Sequence, residues 1–348
     1  MEYMNKKERI RAALEGQETD RVPASLWMHF SAADQDPRSL AEAQTALVDK
    51  YDFDFLKLMP FGLYGVQDYG VKVKIFHQVN HPPVVEDYAI HDVKDWERVE
   101  PLPGYYGSYG KQVQAAAWAV RLANGRYPVI QTIFSPLTTA RKMAGDRILV
   151  DMLEHPKLFE QALQAITETT IHFVNANIAA GVDGFFFATQ CANTDYMSEE
   201  AYRKFGSVYD LQVINSYRNL TWFHVAHIHG DNGMFDLISH YPVNCINWHD
   251  RWSSPSLKEA RQRTDKCLMG GIRERGWYDA SGQKQKDAIL NTGSVDEVEA
   301  HVLEAVAETD GKGLILGPGC VADQLVPEKN IYAVRRAASR YQRYLDAG

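Results

Sequence analysis

Short apolar runs alternate along the chain with longer amphipathic stretches, and this alternation predicts strands followed by helices. Eight apolar runs fit strands at 22–30, 53–59, 128–134, 183–189, 222–229, 244–249, 266–271 and 312–316. The longest helical pattern covers 156–180, with Pro156 in its first turn and Gly181 just beyond its end. Because nearly every strand precedes a helix, we predict a parallel sheet.

We therefore predict a single-domain α/β protein, residues 1–348, with the fold of a (β/α)8 TIM barrel, which needs roughly 250 residues. Many of the residues beyond this length are assigned to the segment 62–110, which is rich in Tyr, Pro and Gly. We predict this segment as an insertion after the second strand that overhangs the C-terminal face, with strand-like pieces at 71–77 and 83–88. A doubly wound open sheet is the alternative, although no Gly-x-Gly-x-x-Gly follows a strand.

Composition and charge exclude several classes of protein. Hydrophobic residues make up 45% and charged residues 24%, which suits a sizeable core. The net charge is −8 and no basic block offsets it, so we expect neither nucleic acid nor an anionic membrane as a partner. No apolar run approaches the roughly 18 residues that cross a bilayer, and the N-terminus does not resemble a signal peptide. We expect a cytoplasmic protein.

The most distinctive polar residues stand at predicted strand ends, where a barrel carries its functional groups. His227 and His229 are two positions apart, so both imidazoles lie on one face of the strand, with Phe223 and Val225 as apolar filling below them. Cys320 follows the last strand on a Pro-Gly turn. Two imidazoles and a thiolate suit Zn²⁺. Paired histidines can also bond the backbone or line a polar pocket, so the spacing leaves both readings open.

Other residues near strand ends are candidates for catalysis or substrate binding. His249 can be a general acid/base, a further metal ligand or a pocket histidine. Gln190 and Asn193 offer neutral hydrogen bonds that can orient a substrate. Lys57 is either an anchor for an anion or a snorkelling side chain. The remaining substrate-binding candidates are His29, Arg273, Asp231 and Tyr64.

The order of motifs resembles the uroporphyrinogen decarboxylase superfamily over essentially the whole chain. The matching segments are 6–16, 20–23, 53–60, 134–138, 180–184, 227–230, 269–272, 318–320 and 327–331. The resemblance implies a (β/α)8 barrel with its active site at the C-terminal mouth. Members that decarboxylate porphyrinogens place arginines shortly after the first strand to hold carboxylates, whereas 24–37 contains no Arg or Lys.

The resemblance is stronger to the branch of zinc-dependent methyltransferases that act with methyl-corrinoid proteins. Their pattern, His-x-Cys-Gly and later Pro-Gly-Cys, matches at His227, Gly230 and Cys320, with His229 in place of the first Cys. The resemblance implies one catalytic Zn²⁺ on His227, His229 and Cys320, and a corrinoid carried only by a partner protein. Losing one thiolate should leave zinc more Lewis acidic and a bound thiol less nucleophilic, which leaves the methyl acceptor open.

The leading functional prediction is methyl transfer between a corrinoid or other carrier and the zinc-activated thiol of a small molecule. Lys57 or Arg273 would anchor an anionic tail. One alternative is a zinc-dependent lyase or hydrolase acting on a small carboxylated substrate, with His249 as acid/base. Another is a non-enzymatic barrel that docks a cofactor protein, and uroporphyrinogen decarboxylation is the least favoured.

Overall fold

The computed structural model describes residues 3–79, 81–274, 277–278, 284–286 and 288–345. The strands of these ranges are β1 (Leu56–Leu58), β2 (Lys72–Lys74), β3 (Val84–Asp87), β4 (Val129–Phe134), β5 (Gly184–Thr189), β6 (Phe223–Ile228), β7 (Cys245–Asn247), β8 (Cys267–Ile272), β9 (Trp277–Tyr278), β10 (Lys284–Lys286) and β11 (Leu314–Pro318).

The α-helices of the same ranges are α1 (Lys6–Leu14), α2 (Pro37–Tyr51), α3 (Tyr64–Gln67), α4 (Gly107–Ala123), α5 (Pro136–Ala144), α6 (Ile148–Glu154), α7 (Pro156–Ala179), α8 (Glu199–Tyr202), α9 (Val208–Tyr217), α10 (Phe235–Ser239), α11 (Leu257–Arg261), α12 (Ile289–Thr292), α13 (Val295–Ala307) and α14 (Glu328–Leu345). Short 3-10 turns cover Val93–Arg98 and Gly145–Arg147, and a π turn, Arg203–Ser207, joins α8 to α9. No helix of the described ranges combines the length and apolar character needed to span a membrane.

Seven strands form one curled parallel sheet in the order β1, β4, β5, β6, β7, β8, β11. Every neighbouring pair is parallel, as expected when helices connect successive strands. The predicted α/β class is confirmed, together with seven of the eight predicted strands at slightly different bounds. The long helix predicted at 156–180 is confirmed as α7.

The strand predicted at 22–30 is wrong, because the only bridge recorded in this segment pairs Ala24 with Leu316 of β11. Ser25 N donates to Leu316 O at 3.0 Å, and Leu316 N donates to Pro23 O at 2.8 Å. On the other side, Asp54 N donates to Ala24 O at 2.9 Å, just before β1. Pro23 has no N–H, which limits pairing at the beginning of the segment. Farther along, Trp27 O accepts from Ala322 N, which lies in the loop after β11 and not in a strand. The segment links both edges of the sheet without becoming a strand.

A buried ion cluster stabilises the region between the two edges of the sheet, which is called the seam below. The Asp54 carboxylate is fully buried and accepts from Arg9 Nη1 at 2.7 Å, Arg21 Nη1 at 2.5 Å and Ala24 N at 2.8 Å. Buried charges are tolerated only when paired and hydrogen-bonded, and each group here compensates the others. The cluster therefore attaches α1 and the Pro23 segment to the first strand of the sheet.

Two buried apolar layers flank the sheet. The inner one contains Phe223 and Val225 of β6 with Phe186 of β5, and Ile10 of α1 packs into it. This confirms that the face carrying the two histidines continues as apolar filling. His224 lies on the opposite face, where its ring contacts Tyr217 of α9 at 5.2 Å between centroids. The outer layer packs the sheet against its helices.

The segment predicted as an insertion, 62–110, contains α3, an antiparallel hairpin of β2 and β3, a 3-10 turn and the start of α4. The two predicted strand-like pieces are confirmed by that hairpin. Lys142 Nζ of α5 donates to Gly62 O at 2.7 Å, which connects the beginning of the segment to the helix that follows β4. Its overhang above the C-terminal face stays a prediction.

Candidate metal centre and adjoining cavity

His227 and Asn247 are register partners on the neighbouring strands β6 and β7. Residues opposite one another on parallel strands point to the same side, so these side chains meet, with His227 Nδ1 2.6 Å from Asn247 Oδ1. Asn247 Nδ2 donates to Met269 O at 2.9 Å and Pro318 O at 3.1 Å. The oxygen of the Asn247 side chain is therefore the acceptor, and His227 Nδ1 is the donor. The lone pair of His227 Nε2 is then available to bind a metal.

The environment of His227 keeps its ring neutral. Burial, followed by the neighbouring His229, lowers the pKa of His227 well below its usual value. The ring of Phe186 stacks on it at 5.2 Å between centroids. A neutral imidazole is the form that ligates a metal, so the site is suited to one before any ion arrives.

His229 follows β6 on a turn that depends on Gly230 and Asn193. Gly230 has φ +103°, and a Cβ there would collide with the side-chain amide of Asn193. Glycine is thus required for both the backbone conformation and the close approach. Asn193 Nδ2 donates to His229 O at 3.4 Å, and Asn193 Oδ1 accepts from Asp195 N at 2.7 Å. Asn193 therefore positions the His229 turn.

Cys320 reaches the same place from the turn after β11. A Cβ on Gly319 would lie 2.9 Å from the Cα of His249, so glycine allows this turn to pass against the end of β7. Gly319 N also donates to the buried Glu274 Oε2 at 3.2 Å, and no motif in the sequence indicated a role for Glu274. Cys320 Sγ then lies 3.9 Å from His229 Nδ1.

His249 joins these residues as a fourth donor. One potential ligand atom from each of His227, His229, His249 and Cys320 lies within 4.8 Å of the other three. Tetrahedral zinc with bonds of about 2.0–2.3 Å places its ligands roughly 3.3–3.8 Å apart, so a small contraction suffices. The donor set of three imidazoles and one thiol fits zinc chemically. The structure thus places His249 among the possible ligands, which is one of the three roles predicted for it. Its ring is tilted 32° to that of Trp252, with 4.2 Å between the centroids.

A cavity of about 150 Å³ adjoins this group. Its walls are Trp27, His29, Lys57, Met59, Pro60, Gly62, Thr132, Phe134, Lys142, Phe186, Ala188, Gln190, His227, His229, Cys320 and Val321. Six predicted site residues therefore share one cavity: His29, Lys57, Gln190, His227, His229 and Cys320. Sequence reasoning missed Lys142, because this residue lies inside α5 and not at a strand end.

The cationic groups of this cavity are strongly desolvated. Burial lowers the pKa of Lys57 to about 7 and that of Lys142 also to about 7. Burial, followed by the charges of these two lysines, lowers the pKa of His29 to about 4. Near neutral pH, His29 is therefore an uncharged member of the wall, while each lysine can gain or lose its proton readily.

Three predicted substrate-binding residues do not line the cavity. Tyr64 is buried in the outer apolar layer, where its hydroxyl donates to Thr132 O at 3.0 Å. The aromatic ring is better accommodated in the core once its hydroxyl has a partner there. Asp231 is exposed and borders a separate, shallow pocket. Arg273 lies near His301, whose Nε2 accepts from Arg273 N at 3.0 Å.

The model of the uroporphyrinogen decarboxylase (URO-D) family matches residues 5–341. The chain belongs to this family. Two proteins named methylcobamide:CoM methyltransferase MtaA, from Methanosarcina barkeri and from its strain Fusaro / DSM 804, are similar to this URO-D member. They are 26% identical over 216 residues and 24% identical over 217 residues. Each alignment covers 62% of this chain, which spans only 58% of the length of either relative.

Two solved structures are similar to this URO-D member over nearly its whole length. A methyltransferase from Methanosarcina mazei has a TM-score of 0.80 at 20% identity, covering 98% of this chain and 99% of that chain. A B12-independent methionine synthase from Shewanella sp. W3-18-1 has a TM-score of 0.57 at 13% identity, covering 94% of each chain. At these identities the likeness shows a shared fold. The predicted superfamily is confirmed, and the names of these relatives agree with the predicted methyltransferase branch and with an enzyme.

Proposed function

We propose that this URO-D family protein is a zinc-dependent methyltransferase that moves a methyl group between a corrinoid or other carrier and the thiol of a small substrate. The observation that carries the proposal is the convergence of His227, His229, His249 and Cys320 beside a small cavity. The methylcobamide:CoM methyltransferase names of two relatives support it. A corrinoid, where one takes part, would be carried by a partner protein.

In this proposal His227, His229 and Cys320 hold one zinc ion, with His249 as the fourth ligand or as the ligand that yields to substrate. Zinc, when bound, lowers the pKa of a coordinated thiol and thereby supplies a thiolate without a separate base. The protein's own contribution is to hold these ligands: Asn247 orients the ring of His227.

The reacting groups meet inside the cavity. The substrate sulfur attacks the methyl carbon of the carrier, a carbon–sulfur bond forms, and the electron pair of the broken bond leaves with the carrier. The thiol proton goes to solvent. The aromatic faces of Trp27, Phe134 and Phe186 exclude water from the nucleophile, and the amide of Gln190 can orient the substrate.

We also propose that the sheet closes as a (β/α)8 barrel in a single domain, with residues 62–110 above its C-terminal face. The backbone hydrogen bonds that join the segment of Pro23, Ala24 and Ser25 to Leu316 of β11 and to Asp54, just before β1, support the closure. The presence of Gly62 in the cavity wall supports the position of the insertion.

The alternatives have less support. A porphyrinogen carries many carboxylates. A cavity of about 150 Å³, lined by no arginine among the described residues, suits a much smaller molecule. For hydrolysis, His249 would have to act as a general acid/base and not as a metal ligand. Its ring centroid lies only 4.9 Å from that of His229, which favours the role of a ligand.

Metal analysis of protein purified without a histidine tag tests the proposal. We expect about one equivalent of zinc, lost in a His227→Ala/Cys320→Ala double variant and kept in His224→Ala, whose side chain lies on the other face of β6. Zinc-loaded protein should also accelerate methylation of 3-mercaptopropionate by methylcobalamin. Absence of zinc, or full retention of zinc by the double variant, would overturn the zinc centre. Turnover of simple esters or amides without a thiol would instead favour the hydrolytic alternative.

A further inference from the structure

A groove of about 450 Å³ lies between the end of α2 and the middle of α14, and it shares no residue with the cavity beside the candidate metal centre. Its cationic lining residues are Lys50, Arg335, Arg336 and Arg340, whereas Asp52 is the one acid among the described residues that line it. The chain as a whole has a net charge of −8. A concave, cationic surface on an acidic protein is suited to an anion from solution.

Glu299 of α13 holds two of these arginines in place. Its side chain is only 7% exposed, and it accepts from Arg336 Nε at 3.0 Å and from Arg340 Nη1. Arg336 and Arg340 are four residues apart on α14, so they lie on one face of the helix. Because a buried carboxylate orients both guanidinium groups, little conformational freedom is lost when a ligand binds them.

Arg336 and Arg340 keep much of their hydrogen-bonding capacity for the groove. A guanidinium group has five N–H donors, and the hydrogen bonds to Glu299 use one donor of each. The two side chains are 51% and 53% exposed. A ligand in the groove can therefore bond to both arginines while each stays bonded to Glu299.

The carboxylates beside the groove do not balance its cations. Glu299 has one negative charge for two arginines. Asp52 is shared in the same way, because it contacts Lys6 at 2.8 Å and Arg335 at 2.6 Å. A positive excess therefore remains around both carboxylates, and a bound anion would reduce it.

We infer that this groove binds a small phosphorylated molecule, with Arg336 and Arg340 as its principal contacts. A phosphate group offers three oxygens and nearly two negative charges, which suits two guanidinium forks, whereas a carboxylate offers two oxygens and one charge. The groove has room for more than one phosphate group, and Arg335 and Lys50 supply two further cations. This site is independent of the proposed function.

Calorimetric titration of the full chain with pyrophosphate tests this inference. We expect saturable binding, about tenfold or more tighter than that of malonate, a dicarboxylate. Arg336→Gln and Arg340→Gln should each weaken pyrophosphate binding about tenfold. Arg203→Gln is the matched control, because Arg203 is also exposed and pairs with the exposed Glu199, and it should bind as the native protein does. Unchanged melting temperatures show that the variants fold.

Glu299→Gln separates oriented arginines from general positive charge. The substitution removes a negative charge beside the groove, so attraction by charge alone would make pyrophosphate bind more tightly. Loss of the group that orients Arg336 and Arg340 should instead weaken binding several-fold in a variant that folds. Tighter binding by Glu299→Gln would therefore contradict a site built on these two arginines.

Two further titrations locate the site and identify its ligand. The His227→Ala/Cys320→Ala double variant should bind pyrophosphate as the native protein does, and loss of binding there would assign it to the metal centre and overturn the inference. ADP, tested beside pyrophosphate, distinguishes a nucleotide, whose base would stack on the exposed ring of Tyr332, from a simpler diphosphate. The inference also fails if pyrophosphate does not bind, if malonate binds equally well, or if an Arg336→Gln/Arg340→Gln double variant keeps the native affinity.

Discussion

The side chain of Asn247 holds His227 in a single tautomer, with 2.6 Å between Asn247 Oδ1 and His227 Nδ1. The asparagine cannot turn over, because its amide nitrogen is already bonded to Met269 O and Pro318 O. One residue thus connects the candidate ligand on β6 to a backbone carbonyl in the middle of β8 and to the last carbonyl of β11. The orientation of the imidazole is set by three other strands, which is the kind of support that metal ligands need.

Asn247→Ala should therefore weaken zinc binding by about 10–100-fold, the usual cost of losing a hydrogen bond to a metal-ligating histidine. Competition with a chromophoric chelator measures the dissociation constant. His224→Ala, on the opposite face of the same strand, is the control and should bind zinc as the native protein does. Native zinc affinity in a folded Asn247→Ala variant would contradict the assigned role of Asn247.

His229→Cys should make a zinc-bound thiol a better nucleophile. The substitution adds a thiolate beside Cys320, whose Sγ lies 3.9 Å from His229 Nδ1, and the extra negative charge reduces the Lewis acidity of the metal. We expect one equivalent of zinc to be kept and the alkylation of bound 3-mercaptopropionate by methyl iodide to accelerate several-fold. An unchanged or slower rate at full zinc content would show that the ligand charge does not control this step.

Asp54→Asn should destabilise the fold by about 3 kcal/mol, because it removes the fully buried carboxylate that both Arg9 and Arg21 contact. The loss is partly compensated, since Arg9 also pairs with Asp20 at 2.6 Å and Arg21 lies 3.7 Å from Asp52. Urea unfolding measures the change. Asp49→Asn is the matched control: its ion pair with Arg126 is exposed and should contribute less than about 1 kcal/mol. Equal effects of the two substitutions would argue that the seam does not depend on the buried cluster.

Asp210 should make the protein lose stability as the pH rises toward neutrality. Its carboxyl is fully buried, accepts from Tyr202 at 2.6 Å and Tyr241 at 2.8 Å, and has its pKa raised to about 7 by burial. The unfolded chain has an ordinary value of about 3.9. Between these values the unfolded state has released a proton that the folded state still holds, so the contribution is complete below about pH 4 and lost by about pH 7.

Asp210→Asn removes the ionisable group, so the free energy of unfolding should fall less with rising pH than it does in the native protein. The difference between about pH 4 and about pH 7 is at most roughly 4 kcal/mol. The free energy of unfolding in urea, compared at about pH 4 and about pH 8, measures the difference between variant and native protein. Asp265→Asn, at an exposed position, should leave the native slope unchanged. The same slope in native and Asp210→Asn proteins would contradict a raised pKa at Asp210.

Local patterns of the sequence were sufficient for much of the fold. Seven strands and α7 follow from apolar runs and helical periodicity, because each pattern is confined to neighbouring residues. The shared face of His227 and His229 follows from the two-residue period of a strand in the same way. The strand predicted at 22–30 failed because its backbone pairs with both edges of the sheet only around Pro23, Ala24 and Ser25, and an apolar run does not show how far such pairing extends.

Only some of the residues that line the adjoining cavity could be predicted from the sequence. His29 and Lys57 lie near the ends of predicted strands and Gln190 directly follows one, and they were selected for that reason. Lys142 lies within a helix and Tyr64 turns into the core, so no rule about strand ends could include the first or reject the second. Their places depend on how α3 and α5 pack against each other, with α3 also on α4 and α5 on α7, which involves contacts distant in sequence.

The sequence by itself determined the family, the order of strands and helices, and the two residue types, histidine and cysteine, that could hold a metal. Only the tertiary structure decided that His249 joins them, that Asn247 holds His227, and that two lysines share one cavity. The physical reason is range: periodicity and turn chemistry act over a few residues, whereas a site is made by strand register and loop approach between segments that are far apart along the chain.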